Sequence, residues 1–347
     1  MGRPLLWLAA SLDVEEEGLF GGRYACHAPS LRNTAELLRL APLLERGLRP
    51  TLFCTHGALT DTATQRMLAA LRDRHGAEIA AHLHYWNTPP LAAGPAVLTR
   101  VPAATLGREA FREKMVSLLA AGMAFQGEAL RSFRMGRWDL HRHHWPVLAE
   151  LGLTCDASVR PLHGPVADAS GLRLRPDHFA APRRPYRVRT ACGDILEVPL
   201  SVVPLAQALP ALLERLPRPL RKAAKGTFSH WGALALLPVE HPLRLMRYMT
   251  RRFIAAGGRV LSLTWHSSEM LPGGAPHMPD EAHVARFLKK IECYLDWLST
   301  ISDLRYVTMQ DIRREEHAFP APLPPAAADW GVLPEETAFA DAYRSQE

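Results

Sequence analysis

The chain of 347 residues has little of two features that each mark a class of protein. It has only five cysteines, scattered and never in a CxxC pair, which argues against a disulfide framework or a thiolate zinc site. No segment reaches the roughly 18 consecutive apolar residues of a membrane helix. We therefore predict a protein of the reducing cytoplasm without a transmembrane segment.

The basic residues do not indicate a nucleic-acid partner. The net charge is only +6, and the basic residues are not arranged with aromatic side chains that could stack on bases. One basic, proline-broken segment, Leu216 to Lys225, lies within a predicted surface insertion near 206–231. We interpret it as a solvated face in preference to a contact with a membrane surface.

Apolar runs typical of buried strands alternate with segments of helical periodicity along most of the chain. Strands are predicted at 4–12, 50–54, 78–82, 132–135, 153–159, 195–203, 259–265 and 305–309. Helices are predicted at 34–45, 61–75, 108–129, 144–150, 243–256 and 280–301. This alternation predicts an α/β fold, an irregular (β/α) barrel of about seven parallel strands over 1–318, followed by a Pro/Ala-rich tail at 319–347.

Five of these apolar runs finish with a residue that can hold a metal, move a proton or pair with a carboxylate. These residues are Asp13 and Glu15, His82 and His84, Arg134, Asp156, and His266. The carboxyl ends of parallel strands meet on one face of a barrel, which is where barrel enzymes place their active sites. We therefore expect these side chains to share one site.

The carboxylates of Asp13 and Glu15 are two residues apart, so both can face one pocket if the strand continues through them. One could bind a metal while the other takes a proton from water. The following Glu16 and Glu17 are interpreted as a solvated acidic turn.

The segment EIAAHLHYWN repeats this spacing with His82 and His84, so both imidazoles can reach one cation if the strand persists. If the chain turns after His82, Trp86 or Asn87 fills the space instead. His266 follows an apolar run and suits a general acid, because histidine titrates near neutrality. A hydrogen bond from His266 to a backbone carbonyl is the structural alternative.

Two arginines follow the predicted strand at 132–135. Arg134 is expected to hold the Asp13 carboxylate ionised and oriented, whereas Arg137 is interpreted as part of an ordinary ion pair. Asp156 is expected to bond Arg134 or His266 from behind the reacting groups.

In chain order, the segments SLDVE, PTLFCTHG, EIAAHLHYWNTPP, FRMGRW, CDASV, LEVPLS and LSLTWHSSEM resemble the NodB-homology polysaccharide deacetylases, most closely the WalW-like branch. The resemblance covers most of the chain. It implies a distorted (β/α) barrel that hydrolyses acetyl groups on glycans, with a divalent metal held by one carboxylate and two histidines. It also implies that Asp13 is the catalytic base, His82 a metal ligand, Arg134 the arginine that positions the base, and His266 the general acid.

Two positions depart from the pattern of that family. Val14 stands directly after the base, where many members have an aspartate, and Trp86 stands where the second metal histidine usually lies. Glu15 and His84 are the substitutes, so the expected ligands are Glu15, His82 and His84. Zn²⁺ is the expected cation, although these ligand types also suit Co²⁺, Ni²⁺ and Fe²⁺.

Three functions remain open at this point. The first is metal-dependent removal of acetyl groups from N-acetylated sugars of a polysaccharide or glycan precursor. The second is hydrolysis of another non-peptide C–N bond, such as that of a cyclic amide or ureide. The third, motivated by Val14 and Trp86, is a catalytically inactive pseudo-deacetylase that binds glycan.

Overall fold

The computed structural model describes residues 2–27, 29–91, 94, 96–101, 103–164, 166–167 and 173–315. The predicted tail at 319–347 lies outside the described residues, so its boundary stays a prediction. Among the described residues, no helix combines the length and the apolar character needed to span a bilayer.

A nine-stranded sheet organises the molecule. Its strands are β1 (Leu5–Val14), β2 (Thr51–Cys54), β3 (Glu78–Leu83), β4 (Ser132–Met135), β5 (Cys155–Asp156), β6 (Tyr186–Thr190), β7 (Gly193–Glu197), β8 (Val260–His266) and β9 (Asp303–Tyr306). The strand order is β6-β7-β5-β4-β3-β2-β1-β8, and β9 also pairs with β1. Every pairing is parallel except the β6–β7 hairpin. The predicted α/β fold with about seven parallel strands is confirmed.

The two ends of the parallel run approach each other through the chain that leaves β7. The Ser201 N–H donates to the Ser262 carbonyl of β8 at 3.3 Å, and the Ser262 N–H donates to Ser201 Oγ at 2.9 Å. The sheet thus curls into an irregular barrel, with one short contact replacing a full strand pairing.

Helices connect the parallel strands and cover the outside of the sheet. They are α1 (Ala41–Leu44), α2 (His56–Thr60), α3 (Thr62–His75), α4 (Arg108–Gln126), α5 (Trp145–Glu150), α6 (Leu209–Glu214), α7 (Arg218–Trp231), α8 (Leu243–Ala255), α9 (Glu281–Ile301) and α10 (Met309–Arg314). Short 3₁₀ helices lie at Leu19–Gly21, Arg32–Leu40, Ala103–Thr105, Gly136–Trp138, Arg142–His144 and Ser267–Met270. Tyr24–Ala25 pairs with Val97–Leu98, Val166–Ala167 with Arg173–Arg175, and Val202–Pro204 with Ala233–Ala235.

The ends of α3 illustrate how local sequence sets these boundaries. The Asp61 side chain accepts a hydrogen bond from the Thr64 N–H, which satisfies one of the free donors of the first turn. Gly76 ends the helix with a left-handed φ of 63°, which glycine adopts without strain. Both signals are readable from the sequence, and the predicted helix at 61–75 is confirmed.

Two strands are shorter than predicted, because some of their backbone groups form hydrogen bonds outside the expected strand pairing. The strand predicted at 153–159 stops at Asp156, since the Ala157 carbonyl accepts from Arg134 Nε and the Val159 N–H donates to Glu197 Oε1. The strand predicted at 195–203 is divided into β7 and Val202–Pro204, with Ser201 between them turned towards β8.

The helix predicted at 34–45 is mostly 3₁₀, over Arg32–Leu40, and becomes α-helical at α1. Pro42 lies in the first turn of α1, where a missing backbone N–H costs little. The region predicted as loop at 160–187 contains the short pair Val166–Ala167 and Arg173–Arg175 and the start of β6.

Candidate active site and metal centre

The alternation of side chains along β1 assigns Asp13 to the interior of the barrel. Trp7 and Ala9 lie in the interior cluster, and the side chains of Ser11 and Asp13 continue that face. Val14 points the other way and is fully buried in the cluster that includes the surrounding helices. Val14 therefore lies on the face opposite the carboxylate site, and the next acidic residue on the site's side is Glu15.

The Asp13 carboxylate is held by the buried Arg134. Arg134 Nη1 donates to Asp13 Oδ1 at 2.5 Å and to Thr264 Oγ1 at 2.8 Å, while Nη2 donates to Ser11 Oγ at 2.9 Å. The second carboxylate oxygen, Oδ2, faces the Nε2 atoms of His266 at 3.7 Å and His82 at 3.8 Å. One oxygen of Asp13 is thus anchored, and the other is directed at the candidate metal and acid groups.

Glu15, His82 and His84 converge on one point. The Nε2 atoms of His82 and His84 lie 3.2 Å and 3.1 Å from Glu15 Oε2, and all three side chains are buried. Asn33 Nδ2 donates to the Glu15 carbonyl at 2.9 Å, which holds the backbone where it leaves β1. The structure therefore brings together the three residues proposed as ligands from the sequence.

The outer nitrogens of both histidines are occupied by acceptors. His82 Nδ1 donates to the Arg134 carbonyl at 3.0 Å, and His84 Nδ1 donates to Glu16 Oε1 at 2.9 Å. Protonation at Nδ1 leaves the Nε2 lone pairs of the neutral rings directed at Glu15 Oε2. Three electron-rich atoms cannot face one another at this distance unless a proton or a cation lies among them.

A divalent cation fits this donor set. Ligand bonds of about 2.0 Å in a tetrahedral arrangement separate the ligand atoms by about 3.3 Å, close to the separations from Glu15 Oε2. Burial lowers the pKa of His84, but the charge of Glu16 and the hydrogen bonds with Glu15 and Glu16 outweigh it and raise that pKa to about 10. The pocket therefore favours positive charge at the position where a metal would lie.

Glu16 is a functional residue that the sequence interpretation missed. It was assigned with Glu17 to a solvated turn, but Glu16 is only 1% exposed and binds His84 Nδ1 and Asn87 Nδ2. The Trp86 ring stacks on His84 at 4.3 Å. Trp86 and Asn87 thus surround His84 without replacing it. Glu17, predicted as part of the same solvated turn, is half-buried and pairs with the exposed Arg32.

His266 ends β8 beside Asp13, and its other nitrogen is held by Glu269. Glu269 Oε2 accepts from the His266 N–H at 2.9 Å and lies 3.1 Å from Nδ1, while Glu269 Oε1 lies 2.8 Å from His277 Nε2. Burial lowers the pKa of His266, but the charges of Glu269 and Glu15 raise it to about 10. His266 therefore carries a proton at neutral pH. The motif TWHSSEM contains Glu269. Its contact with His266 could not be predicted from the sequence, because the contact depends on the 3₁₀ turn Ser267–Met270.

The turn after β4 forms one wall of the site. A Cβ on Gly136 would lie 2.4 Å from His84 Cδ2, so only glycine fits there without moving the ring. The next residues, Arg137 and Trp138, both adopt left-handed backbone with φ of 64° and 59°, a conformation that costs energy outside glycine and is concentrated at functional sites. Arg137 makes no ion pair with any described residue, contrary to the interpretation from sequence; it stacks on Tyr24 and donates to its hydroxyl.

These groups open onto one cleft of about 280 Å³. Its walls carry several aromatic side chains, namely Phe20, Tyr24, Trp86, Trp138 and Trp265. Arg160 and Glu240 form a two-hydrogen-bond ion pair in the same lining, at 3.1 Å and 3.0 Å. The cleft thus combines Asp13, Glu15, His84 and His266 with flat apolar surfaces, and His82 Nε2 lies 3.2 Å from Glu15 Oε2.

Asp156 does not bond Arg134 or His266, so that expectation is wrong. Its carboxylate accepts from Trp145 Nε1 at 2.7 Å and from the Ser158 hydroxyl, because β5 pairs with β4 and three strands separate it from β1. Ser158 Oγ in turn accepts from the Met135 N–H at 2.8 Å. Asp156 therefore supports the end of β4, from which Arg134 projects.

We predict that Glu16→Gln weakens Zn²⁺ binding by about tenfold or more, because His84 loses the charged acceptor that orients it. The measurement is competition with a chromophoric chelator. Glu17→Gln is the matched control. It makes the same change at the next residue, and the Glu17 carboxylate binds Arg32 and not a histidine. Equal Zn²⁺ affinity in the Glu16 variant and the control would contradict the assigned role.

Gly136→Ala is predicted to lower Zn²⁺ affinity at least about tenfold, because the added methyl group displaces the His84 ring. Gly226→Ala serves as control, as nothing lies within 4 Å of a Cβ there. Circular dichroism checks that both variants fold, and calorimetric titration with Zn²⁺ measures the affinity. Unchanged affinity in a folded Gly136 variant would show that His84 does not depend on this close approach.

The buried carboxyls of Asp156 and Glu197 predict a pH dependence of stability. Burial first, then the charge of Asp156, raises the pKa of Glu197 well above its usual range, so stability is lost as pH rises through the folded-state pKa. We expect the free energy of unfolding of Glu197→Gln to gain on that of wild type as the pH rises above the usual carboxyl range, as measured by urea unfolding at a series of pH values. The exposed Glu113→Gln should follow wild type at every pH, and a parallel course for Glu197→Gln would refute the prediction.

Comparisons with known proteins agree with this architecture. No family model and no curated protein matches the sequence. The structure is similar to that of a Mycobacterium smegmatis protein designated a polysaccharide deacetylase, with a TM-score of 0.55, 17% identity and 96% of each chain covered. A protein from Pseudomonas aeruginosa PAO1 with the same designation has a TM-score of 0.54 and 14% identity, covering 91% of this chain and 92% of that one.

A third similar structure is that of Puue allantoinase, with a TM-score of 0.52, 14% identity and 91% of each chain covered. The two similar deacetylase structures agree with the resemblance found in the strand-end motifs, whereas the WalW-like branch stays a prediction. The chain has the fold of the polysaccharide deacetylase superfamily.

Proposed function

We propose that the protein is a metal-dependent deacetylase that removes acetyl groups from N-acetylated sugars of a polysaccharide or glycan precursor. The observation that carries this proposal is the convergence of the triad Glu15, His82 and His84 with Asp13 and His266, four of which line one cleft. Amide hydrolysis requires groups that activate water, polarise the carbonyl and protonate the departing nitrogen, and this set supplies one candidate for each.

Glu15 Oε2 and the Nε2 atoms of His82 and His84 are the proposed ligands, with Zn²⁺ as the first choice among divalent cations. When bound, such a cation supplies a Lewis acid for the acetyl carbonyl and lowers the pKa of a water molecule. Glu16 and the Arg134 carbonyl fix the two imidazole rings through their Nδ1 atoms.

Asp13 is the proposed general base. Its Oδ2 atom takes a proton from the attacking water, while Arg134 keeps Oδ1 bound and the carboxylate in place. The Arg134 guanidinium also lies over the Phe53 ring, 4.1 Å from its centroid, so it cannot rotate towards the substrate.

His266 is the proposed general acid. Its Nε2 atom delivers a proton to the amine nitrogen as the C–N bond breaks, and Glu269 holds the ring from the opposite side. The Glu269 carboxylate stays ionised, because the hydrogen bonds and charges of the two neighbouring histidines overcome its burial and lower its pKa to about 2.

The lining of the cleft supports a sugar substrate. Tyr24, Trp86 and Trp138 offer flat surfaces for the apolar C–H faces of pyranose rings, and their edges supply polar groups. The similar structures designated polysaccharide deacetylases favour the same substrate class. We place the enzyme in the cytoplasm, since all five cysteines are unpaired.

A second candidate is hydrolysis of a cyclic amide or ureide, favoured by the similarity to an allantoinase. The same base, acid and metal ligands would act on such a C–N bond. The pseudo-deacetylase alternative rests on Val14 and Trp86. It is less well supported, because Val14 faces the surrounding helices while Glu15 Oε2 lies within 3.2 Å of the Nε2 atoms of both histidines.

The test compares Asp13→Asn and His266→Ala with wild type on acetylated sugars, chitin oligomers and cyclic ureides, in the presence of Zn²⁺. Each variant should lose about 10²-fold or more in kcat while keeping its bound metal, because each removes a proton-transfer group and no ligand. His82→Ala should lose the metal itself, as measured by mass spectrometry of the purified protein.

The exposed His283→Ala, on α9, is the matched control for loss of a histidine and should retain full activity. Turnover of ureides with none on acetylated sugars would favour the second candidate. Wild-type rates in both the Asp13 and the His266 variant would overturn the mechanism for either substrate.

A further inference from the structure

Exposed apolar side chains are concentrated on the helical hairpin formed by α6 and α7, hereafter the α6–α7 hairpin (209–231). Thirteen large hydrophobic side chains are exposed among the described residues, and five of them lie between 205 and 231. These five are Leu205, Leu209, Leu212, Leu220 and Trp231, the last of which is 80% exposed. Such a cluster marks an interaction surface, whereas single exposed apolar residues do not.

The inner side of the hairpin is firmly attached to the body of the protein. Phe228 is buried against Phe179, and Leu213 packs on the same cluster. Lys225 Nζ lies 3.0 Å from Asp177 and 2.7 Å from Glu214, so it is an internal ion-pair partner and not a surface charge. The apolar outer side is therefore a stable face of a packed element and not a partly unfolded core.

Helical periodicity separates the two sides of α7. Leu220, Ala223, Thr227 and Trp231 follow the spacing of one helix face and are all exposed. Lys225 and Phe228 occupy the opposite face and are buried. A helix that only covers the core of a protein exposes mainly polar residues, whereas the exposed face of α7 carries Leu220 and Trp231.

The positive charge of the hairpin favours an anionic partner. Five basic residues and one acidic residue in 209–231 give it a formal charge of +4. The acidic residue, Glu214, is neutralised within the hairpin by Lys225, while Arg215 and Lys222 are exposed. A second copy of this chain would bring the same basic residues face to face. An anionic surface, in contrast, complements both the charge and the apolar side chains.

We propose that the α6–α7 hairpin docks on the surface of an anionic lipid bilayer. Leu209, Leu212, Leu220 and Trp231 enter the interfacial region, and Arg215 and Lys222 meet the phospholipid head groups. Tryptophan is enriched at this boundary because one part of the ring is apolar and the N–H is polar. The prediction of a solvated face rests on the basic residues of the segment, whereas this proposal also takes account of its exposed apolar side chains.

Docking would hold the cleft close to the membrane. Leu237 belongs to the cluster under the hairpin and also lines the cleft, and Trp138 lines the cleft while packing on that cluster. If the proposed deacetylase function holds, the substrate class narrows to acetylated glycans carried at a membrane surface. The membrane contact itself does not depend on that function.

The experiment is co-sedimentation of the full chain with phosphatidylcholine vesicles and with equimolar phosphatidylcholine and phosphatidylglycerol vesicles. Wild type should partition onto the anionic vesicles about tenfold or more better than onto the neutral ones, and added salt should weaken this binding. The double variant Leu212→Ser with Trp231→Ser, and the double variant Arg215→Ser with Lys222→Ser, should each lower binding by about tenfold or more.

Leu38→Ser is the matched control, because Leu38 is 69% exposed on the 3₁₀ helix Arg32–Leu40 and outside the hairpin. It should bind vesicles as wild type does. Absence of vesicle binding by the wild type, or binding by either double variant as strong as that of the wild type, would overturn the proposal. A second copy of the chain would be the occupant instead if light scattering showed a wild-type dimer, the Leu212→Ser/Trp231→Ser variant were monomeric, and the wild type bound no vesicles. None of these readouts uses enzyme activity, so the result is independent of the proposed reaction.

Discussion

The buried guanidinium of Arg134 joins the elements on which the site is built. It donates to Ser11 and Asp13 of β1, to Thr264 of β8 and to the Ala157 carbonyl beyond β5, all from the interior of the barrel. A buried cation with these partners fixes their relative positions, since losing one partner of such a pair costs about 3–5 kcal/mol. The interior of a barrel is usually filled by apolar side chains alone. Here a charged pair occupies its upper layer, and the orientation of the base follows from it.

The second organising feature is the excess of carboxylates around the triad. Asp13, Glu15, Glu16 and Glu269 are all buried, and Arg134 is the permanent cation among them. Positive charge on His266 compensates part of this excess, and a divalent cation held by Glu15 and the neutral rings of His82 and His84 would compensate the rest. The acidic residues around the histidines are therefore part of the electrostatic design of the site and not incidental neighbours. The buried Glu16 belongs to this arrangement through its hydrogen bond to His84.

The α/β alternation, the strand-end residues and the ligand candidates could be predicted because they depend on short-range patterns. Period-two alternation places the side chains of Asp13 and Glu15 on the same side of the chain, and apolar runs locate β1, β3 and β8. Glu16 and Asp156 could not be placed in this way. Glu16 follows the end of β1, where the strand period no longer applies, and the partners of Asp156 come from α5 and the turn after β5. The charge of the segment near 206–231 can be read from the sequence, whereas its exposed apolar side depends on which face of the hairpin packs on the body of the protein.

The amino-acid sequence by itself determined the order of strands and helices, the residues available at the strand ends, and the resemblance to the deacetylase superfamily. Those properties are set by local periodicity and residue type, which do not depend on distant contacts. Tertiary structure decided which groups meet. Glu269 reached His266 through a 3₁₀ turn, Gly136 made room for the His84 ring from another strand, and Lys225 was withdrawn from the surface by Asp177. These pairings join residues that are far apart in the chain or set by turn geometry, so only the packing of the barrel could specify them.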